Sequence, residues 1–122
     1  MTKRILHIGI ASPEFVHKRM LEIAKGKKAP NEPLVWFTSY EALARVLSRQ
    51  NMLLIEILRE FEPESVTELA SKVGREMTNV LRSLKTLEEF DIVEFEGGDG
   101  GRKAPRLKYD AFHSTHYTQK VA

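Results

Sequence analysis

The chain contains no cysteine, which excludes a disulfide framework and any thiolate metal site. No apolar run approaches the ~20 residues that a membrane-spanning helix needs. The opening MTKRILHIGIASPEF turns polar too soon to supply the apolar stretch of a secretory signal, so a cytoplasmic protein without membrane contact is expected. A strong charge of one sign is missing as well: 19 Lys and Arg stand against 17 Asp and Glu, a net charge of +2. A uniformly basic nucleic-acid footprint is thereby excluded, and any such patch has to come from placement. There is no internal repeat and no low-complexity segment.

Catalytic groupings are equally scarce. His113 and His116 form the one closely spaced histidine pair, but a metal site needs two more ligands and no acid cluster flanks them. His7 falls in an alternating apolar stretch and His17 on a polar helix, neither with a nucleophile in view. Glu88 and Glu89 are adjacent, and adjacent side chains diverge on a helix. Neither an enzyme nor a bound metal or cofactor is expected.

What is present is a chain of 122 residues, 42% hydrophobic, suited to one compact domain with an added arm. A chain of this size buries roughly two-thirds of its unfolded surface, so a core needs no covalent staple. Charge is unevenly spread: residues 1–30 carry seven Lys/Arg against two Glu, and residues 31–70 three Arg against seven Glu. Residues 71–110 carry eight of each sign.

Residues 3–10 (KRILHIGI) read as a strand, and Ser12-Pro13-Glu14 starts a helix: a hydroxyl N-cap, proline at the first helical position, an acid in the first turn. Val16, Met20 and Ile23 form its apolar stripe, and GKKAPNEP ends it. LVWF (34–37) is a short apolar strand in which Trp36 belongs to a core or interface, and Ser39 caps a helix through about Leu47 with Leu43 and Leu47 inward. From Asn51 on, Leu54, Ile57, Leu58 and Phe61 recur at i, i+3, i+4 and i+7, an amphipathic helix stopped by Pro63. Ser65 with Glu68 three residues later is a capping box opening a short helix, with Val66, Leu69, Ala70 and Val73 inward and Gly74 at its end. Val80, Leu84 and Leu87 then mark a longer helix, to which Leu81 and Phe90 add apolar surface. IVEFE (92–96) alternates as a half-buried strand, and RLKYD (106–110) reads as its return partner.

Helix, helix, turn, helix, hairpin is the order of a winged helix-turn-helix, here an α+β fold with a three-helix core, a β-hairpin wing and an N-terminal strand-helix-strand arm. The expected division is an arm at 1–37 that dimerises, a DNA-binding domain at 38–110, and a C-terminal strand or tail at 111–122. Ala70-x-x-x-Gly74 marks where two helices of such a unit meet, the small residue allowing close approach and glycine the positive φ of the turn. In this motif the second helix enters the major groove. With Val80, Leu84 and Leu87 inward, Arg75, Thr78, Asn79, Arg82 and Lys85 point outward. Asn79 and Arg82 are the candidate base readers, since Asn pairs with adenine and Arg with guanine through two hydrogen bonds. Thr78 suits a thymine methyl or a phosphate, and Lys85 and Lys72 suit phosphate. Ser65 and Thr67 open the preceding helix, where exposed amides also favour phosphate.

The segments VWFTSYEALARVLS, NMLLIEILREFEPESVTELA, GREMTNVLRSLKTLEEFDIVEFE and RKAPRLKYD together resemble the winged-helix regulators of the multiple-antibiotic-resistance (MarR-like) type. More narrowly they are similar to a family of small bacterial and archaeal DNA-binding proteins, and IASPEF and IAKGKKAPNEP extend the likeness over nearly the whole chain. The resemblance implies a dimeric transcriptional regulator that represses its own operon. It also implies the alternative of an antitoxin acting mainly through contact with a small toxin. The flanks, too short to bury much by themselves, are expected to build the homodimer, the N-terminal strand pairing with an extended segment of the chain or of its partner.

FEGGDGGRKAPR (95–106) resembles a phosphate loop only in composition. Counting Gly-x-x-x-x-Gly-Lys from Gly97 puts Arg102 where the second glycine belongs, and from Gly98 it puts Lys103 there. The loop also runs from strand to strand, so no helix N-terminus follows it. Its glycines suit a hairpin tip, with Arg102 and Lys103 placed for the backbone or minor groove of DNA.

Overall fold

The computed structural model describes residues 3–97 and 103–118. It is an α+β protein of five strands and five helices among the described residues, in the order β1 (Ile5–Ile10), α1 (Pro13–Ala24), β2 (Val35–Phe37), α2 (Tyr40–Val46), α3 (Arg49–Phe61), α4 (Val66–Val73), α5 (Met77–Glu89), β3 (Val93–Glu96), β4 (Ala104–Leu107) and β5 (Ala111–His116). None of these helices is long and apolar enough to cross a membrane. The chain divides into two compact units, Met1–Arg45 with Ala111–Ala122, and Val46–Asp110. The expected boundary at 37/38 thus falls inside the first unit, and the C-terminal segment belongs to that unit as well.

In the first unit β1 is the central strand of a three-stranded sheet ordered β2-β1-β5, parallel to both neighbours. The expected partner for the N-terminal strand is therefore found within the same chain: Ile5–Ile10 pairs residue by residue with Ala111–His116. Alternation along β1 buries Leu6, Ile8 and Ile10 on one face. On the other face Gly9 lies beside Trp36 of β2. A Cβ at Gly9 would sit 2.4 Å from the Trp36 ring, so the residue is glycine because the indole occupies the space of a side chain. Phe15 of α1 and Tyr117 complete an aromatic cluster, with ring centroids 6.1 and 5.2 Å from Trp36. The Ser12 hydroxyl caps α1 by accepting from the Phe15 amide at 3.2 Å. No residue of α1 is buried, and Met20, expected on its inner stripe, is exposed. The Arg19 guanidinium instead clasps the following loop, bonding Glu32 at 2.5 Å and Glu22 at 2.7 Å and donating to the Lys27 carbonyl at 3.0 Å.

The second unit packs α3, α4 and α5 around Leu54, Ile55, Leu58, Leu69, Val80, Leu84 and Leu87, with Ile92 and Val93 continuing the core into the hairpin β3–β4. The buried face of α3 is Asn51, Leu54, Ile55 and Leu58, rotated from the expected stripe, and Phe61 is 55% exposed. The periodicity of α3 admits two overlapping registers, and the one adopted places Asn51 and Ile55 inward with Leu54 and Leu58. The side-chain Nδ2 of Asn51 donates to the Val46 carbonyl at 2.8 Å, so a polar residue takes the first buried position.

Both helix ends that flank α5 close with paired backbone bonds. Gly74, at φ +68°, ends α4, with its amide on Ser71 and the Arg75 amide on the Ala70 carbonyl. Asp91, at φ +63°, plays the same part after α5, its amide on Glu88 and that of Ile92 on Leu87. Asp tolerates this left-handed backbone better than most residues. The return strand is Ala104–Leu107 rather than 106–110; just past it the Lys108 amide still donates to the Ile92 carbonyl at 3.0 Å, while the Lys108 and Tyr109 side chains bind the Asp91 carboxylate. Those two bonds, Lys108 foremost, hold the Asp91 carboxyl below the usual carboxylate range.

Candidate nucleic-acid interface

Helix α5 is held by its buried row Val80, Leu84 and Leu87. At 100° per residue, Thr78, Arg82 and Lys85 lie opposite that row, with Asn79 on the adjoining flank, and all four side chains are exposed. Arg82 and Asn79 are one turn apart, with Nη1 3.5 Å from the Asn79 side-chain oxygen. This solvent face therefore pairs an amide with a guanidinium at the N-terminal half of the helix; an exposed acid, Glu76, stands at the N-cap, and the acids within the helix, Glu88 and Glu89, come only at its C-terminal end.

Arg75 departs from the expected outward set. It precedes the helix, is only partly exposed, and turns back along α5, donating to the Asn79 carbonyl at 3.4 Å and the Ser83 hydroxyl at 3.1 Å. Its Nη1 is buried without a partner. The side chain braces the turn between α4 and α5 and is withdrawn from the surface that Arg82 and Lys85 share.

The α4 side is organised by its cap. Ser65 accepts from the Glu68 amide at 3.1 Å, while the Glu68 carboxylate reaches the amide of Glu64 rather than that of Ser65. Ser65, Thr67, Lys72, Met77, Leu81 and Lys103 border one open groove of about 610 Å³. The Thr67 hydroxyl lies 3.3 Å from the Met77 sulfur. Lys72 extends over the Phe61 ring, its ammonium 4.4 Å from the centroid, a cation–π contact that orients the charge while leaving it exposed. Lys103 is exposed at the loop end of the hairpin, just before β4. Arg102 lies outside the described residues.

Two features of this surface escape the sequence pattern. Met77 is half exposed and, with Leu81, gives the groove an apolar lining beside its hydroxyls, its ammoniums and the Glu68 carboxylate. The signal for it is its place as the first residue of α5, one before Thr78. Arg106 anchors the hairpin, donating to the Pro63 carbonyl at 2.6 Å and pairing with Glu96 at 3.5 Å. It thereby fixes the strands to the α3–α4 connection, and nothing in the spacing of the sequence announces it.

Among the described residues no group of three or more His, Asp or Glu side chains is placed to hold a metal ion. His113 and His116 point to opposite faces of β5, as residues three apart on a strand must. His113 meets His7, with their Nδ1 atoms 3.4 Å apart, and His116 meets the Tyr40 hydroxyl at 2.9 Å.

Residues 46–114 match the family model HVO_A0114. That is more than half of the 122 residues, and the chain belongs to this family. The matched segment takes in α3, α4, α5 and both strands of the hairpin. Neither the curated proteins nor the solved structures yield a match.

Proposed function

We propose that this member of the HVO_A0114 family is a sequence-specific, double-stranded DNA-binding regulator of transcription, a non-enzymatic cytoplasmic repressor of its own operon. In this reading Val46–Asp110 is a MarR-like winged helix-turn-helix, with α5 the recognition helix in the major groove. The observation that carries it is the exposed face of α5, where Thr78, Asn79, Arg82 and Lys85 lie together opposite the buried Val80, Leu84 and Leu87. Asn79 and Arg82 read base edges and Thr78 a thymine methyl or phosphate. Lys72, Lys85, Ser65 and Thr67 meet phosphates, and the glycine-rich wing brings Arg102 and Lys103 to the backbone or minor groove. Arg75 acts from behind, bracing the turn that presents α5.

The test is selection of binding sites from random duplexes, followed by titration of Arg82→Ala against the selected site. Loss of roughly 1–3 kcal/mol with relaxed preference at one position is expected. Lys72→Ala is expected to weaken all duplexes alike and to lower the salt dependence. Unchanged affinity and preference in Arg82→Ala would remove α5 as the reading element. The exposed Met20 and Leu21 of α1 favour a second role, an antitoxin-like contact with a small protein. A partner of stoichiometric amount that co-purifies and is lost on Leu21→Glu would favour it.

A further inference from the structure

The sheet of the first unit ends in an edge built unlike a protected one. Strand β5 borders β1 on one side and no described strand on the other. Its orientation follows from the two bonds that bracket it: the Ala111 amide donates to Arg4 and the Tyr117 amide to Ile10. Odd-numbered residues of β5 therefore bond to β1, and the peptide N–H and C=O groups of Phe112, Ser114 and His116 point away from the sheet. Proteins ordinarily blunt such an edge with lysine, proline or an inward charge. The sequence AFHSTH from 111 to 116 has no Lys, Arg, Asp, Glu or Pro, and His113, Ser114 and His116 are exposed. The opposite edge, β2, is only three residues long.

We infer that the β5 edge pairs antiparallel with β5 of a second copy of this chain, joining two three-stranded sheets into one across a two-fold axis at Ser114. The three outward-bonding residues are spaced symmetrically about Ser114. A two-fold there sets Ser114 against Ser114, and Phe112 against His116 of the second copy, each pair exchanging both backbone bonds. All six outward hydrogen-bonding groups of each strand are then used. The facing side chains suit each other: Phe112 meets the imidazole of His116 on one face, His113 meets Thr115 on the other, and no like charges oppose. The same surface serves both copies, as an isologous interface requires. This pairing is independent of the DNA reading, since all its residues lie in the other unit.

Sedimentation equilibrium of the full chain at high micromolar concentration, with Ser114→Pro and Ser114→Lys beside it, tests the inference. Proline at 114 removes an outward N–H that β1 does not use, and lysine places two ammoniums together on the two-fold. The parent chain is expected to be dimeric and both variants monomeric with unchanged far-UV circular dichroism. Amide hydrogen exchange gives a second readout that does not depend on any variant folding. The amides of Phe112, Ser114 and His116 should gain at least tenfold protection as concentration rises, while those of His113 and Thr115 do not change. A monomeric parent chain, dimers that persist in Ser114→Lys, or concentration-dependent protection lying elsewhere would each overturn the inference.

Discussion

Residues 46–110 are assembled from neighbours in sequence, three capped helices and a hairpin that follow one another, whereas the sheet of the other unit sets Leu6 beside Phe112 and Ile8 beside Ser114. The first construction needs only local signals, a serine at a cap, a glycine at a turn and leucines three and four apart. The second needs contacts that no short window contains, and contacts between distant residues require long loops to close before they are rewarded. The two units also differ in what fills them. The helical unit buries a broad aliphatic core, while the sheet unit buries Leu6, Ile8 and Ile10 on one face of β1 and on the other sets one glycine against one indole.

The sharpest way to break the helical unit is to hollow it. Leu84 is fully buried, and Leu84→Ala should cost about 2–5 kcal/mol in chemical denaturation. In the sheet unit Gly9→Ala should cost about 1–3 kcal/mol by overpacking against Trp36. The combination with Trp36→Leu should restore part of that loss if the indole is the cause, and a double-mutant cycle measures the coupling. A smaller effect separates the units by pH. Asp91 is held below its usual range by Lys108 and Tyr109, so its contribution is fully present above the ordinary carboxylate value of roughly 4. It is lost as pH falls through the lower, folded value. A stability titration should therefore show an acid-side loss that Asp91→Asn diminishes, with no counterpart from this pair in the sheet unit.

Most of the helical unit was legible in the sequence because its signals are chemical and local. Ser65, Gly74 and the row Val80, Leu84, Leu87 do what their residue types dictate. The misreadings there fall where the pattern is ambiguous or stops: α3 buries Asn51 and Ile55 beside Leu54 and Leu58 rather than Ile57 and Phe61, and the return strand ends at Leu107, past which the side chains of Lys108 and Tyr109 reach Asp91. Four polar residues of α5 could be placed on its outer face by counting, since helical periodicity fixes direction. Arg75 could not, because it stands in the turn, where no periodicity applies and its long side chain finds Ser83. In the sheet unit β1 and β2 were visible as apolar runs and pairing of β1 with an extended segment of the chain or of its partner was expected, but the order of the strands, their parallel direction and the choice of 111–116 as that segment were not legible. Alternation tells which face a residue lies on and says nothing of its neighbour across the ladder.

Trp36 is the only tryptophan of the chain, and it belongs to the sheet unit, stacked among Phe15, Tyr117 and the backbone of Gly9. The molecule thus carries its own optical label on one of its two halves. Emission excited at the indole band follows the parallel sheet alone, while the far-ultraviolet helical signal is weighted toward α3, α4 and α5 of the other unit. A single sample heated or titrated with denaturant and read at both wavelengths would report whether the two halves come apart together or in sequence, with no dye, tag or substitution introduced.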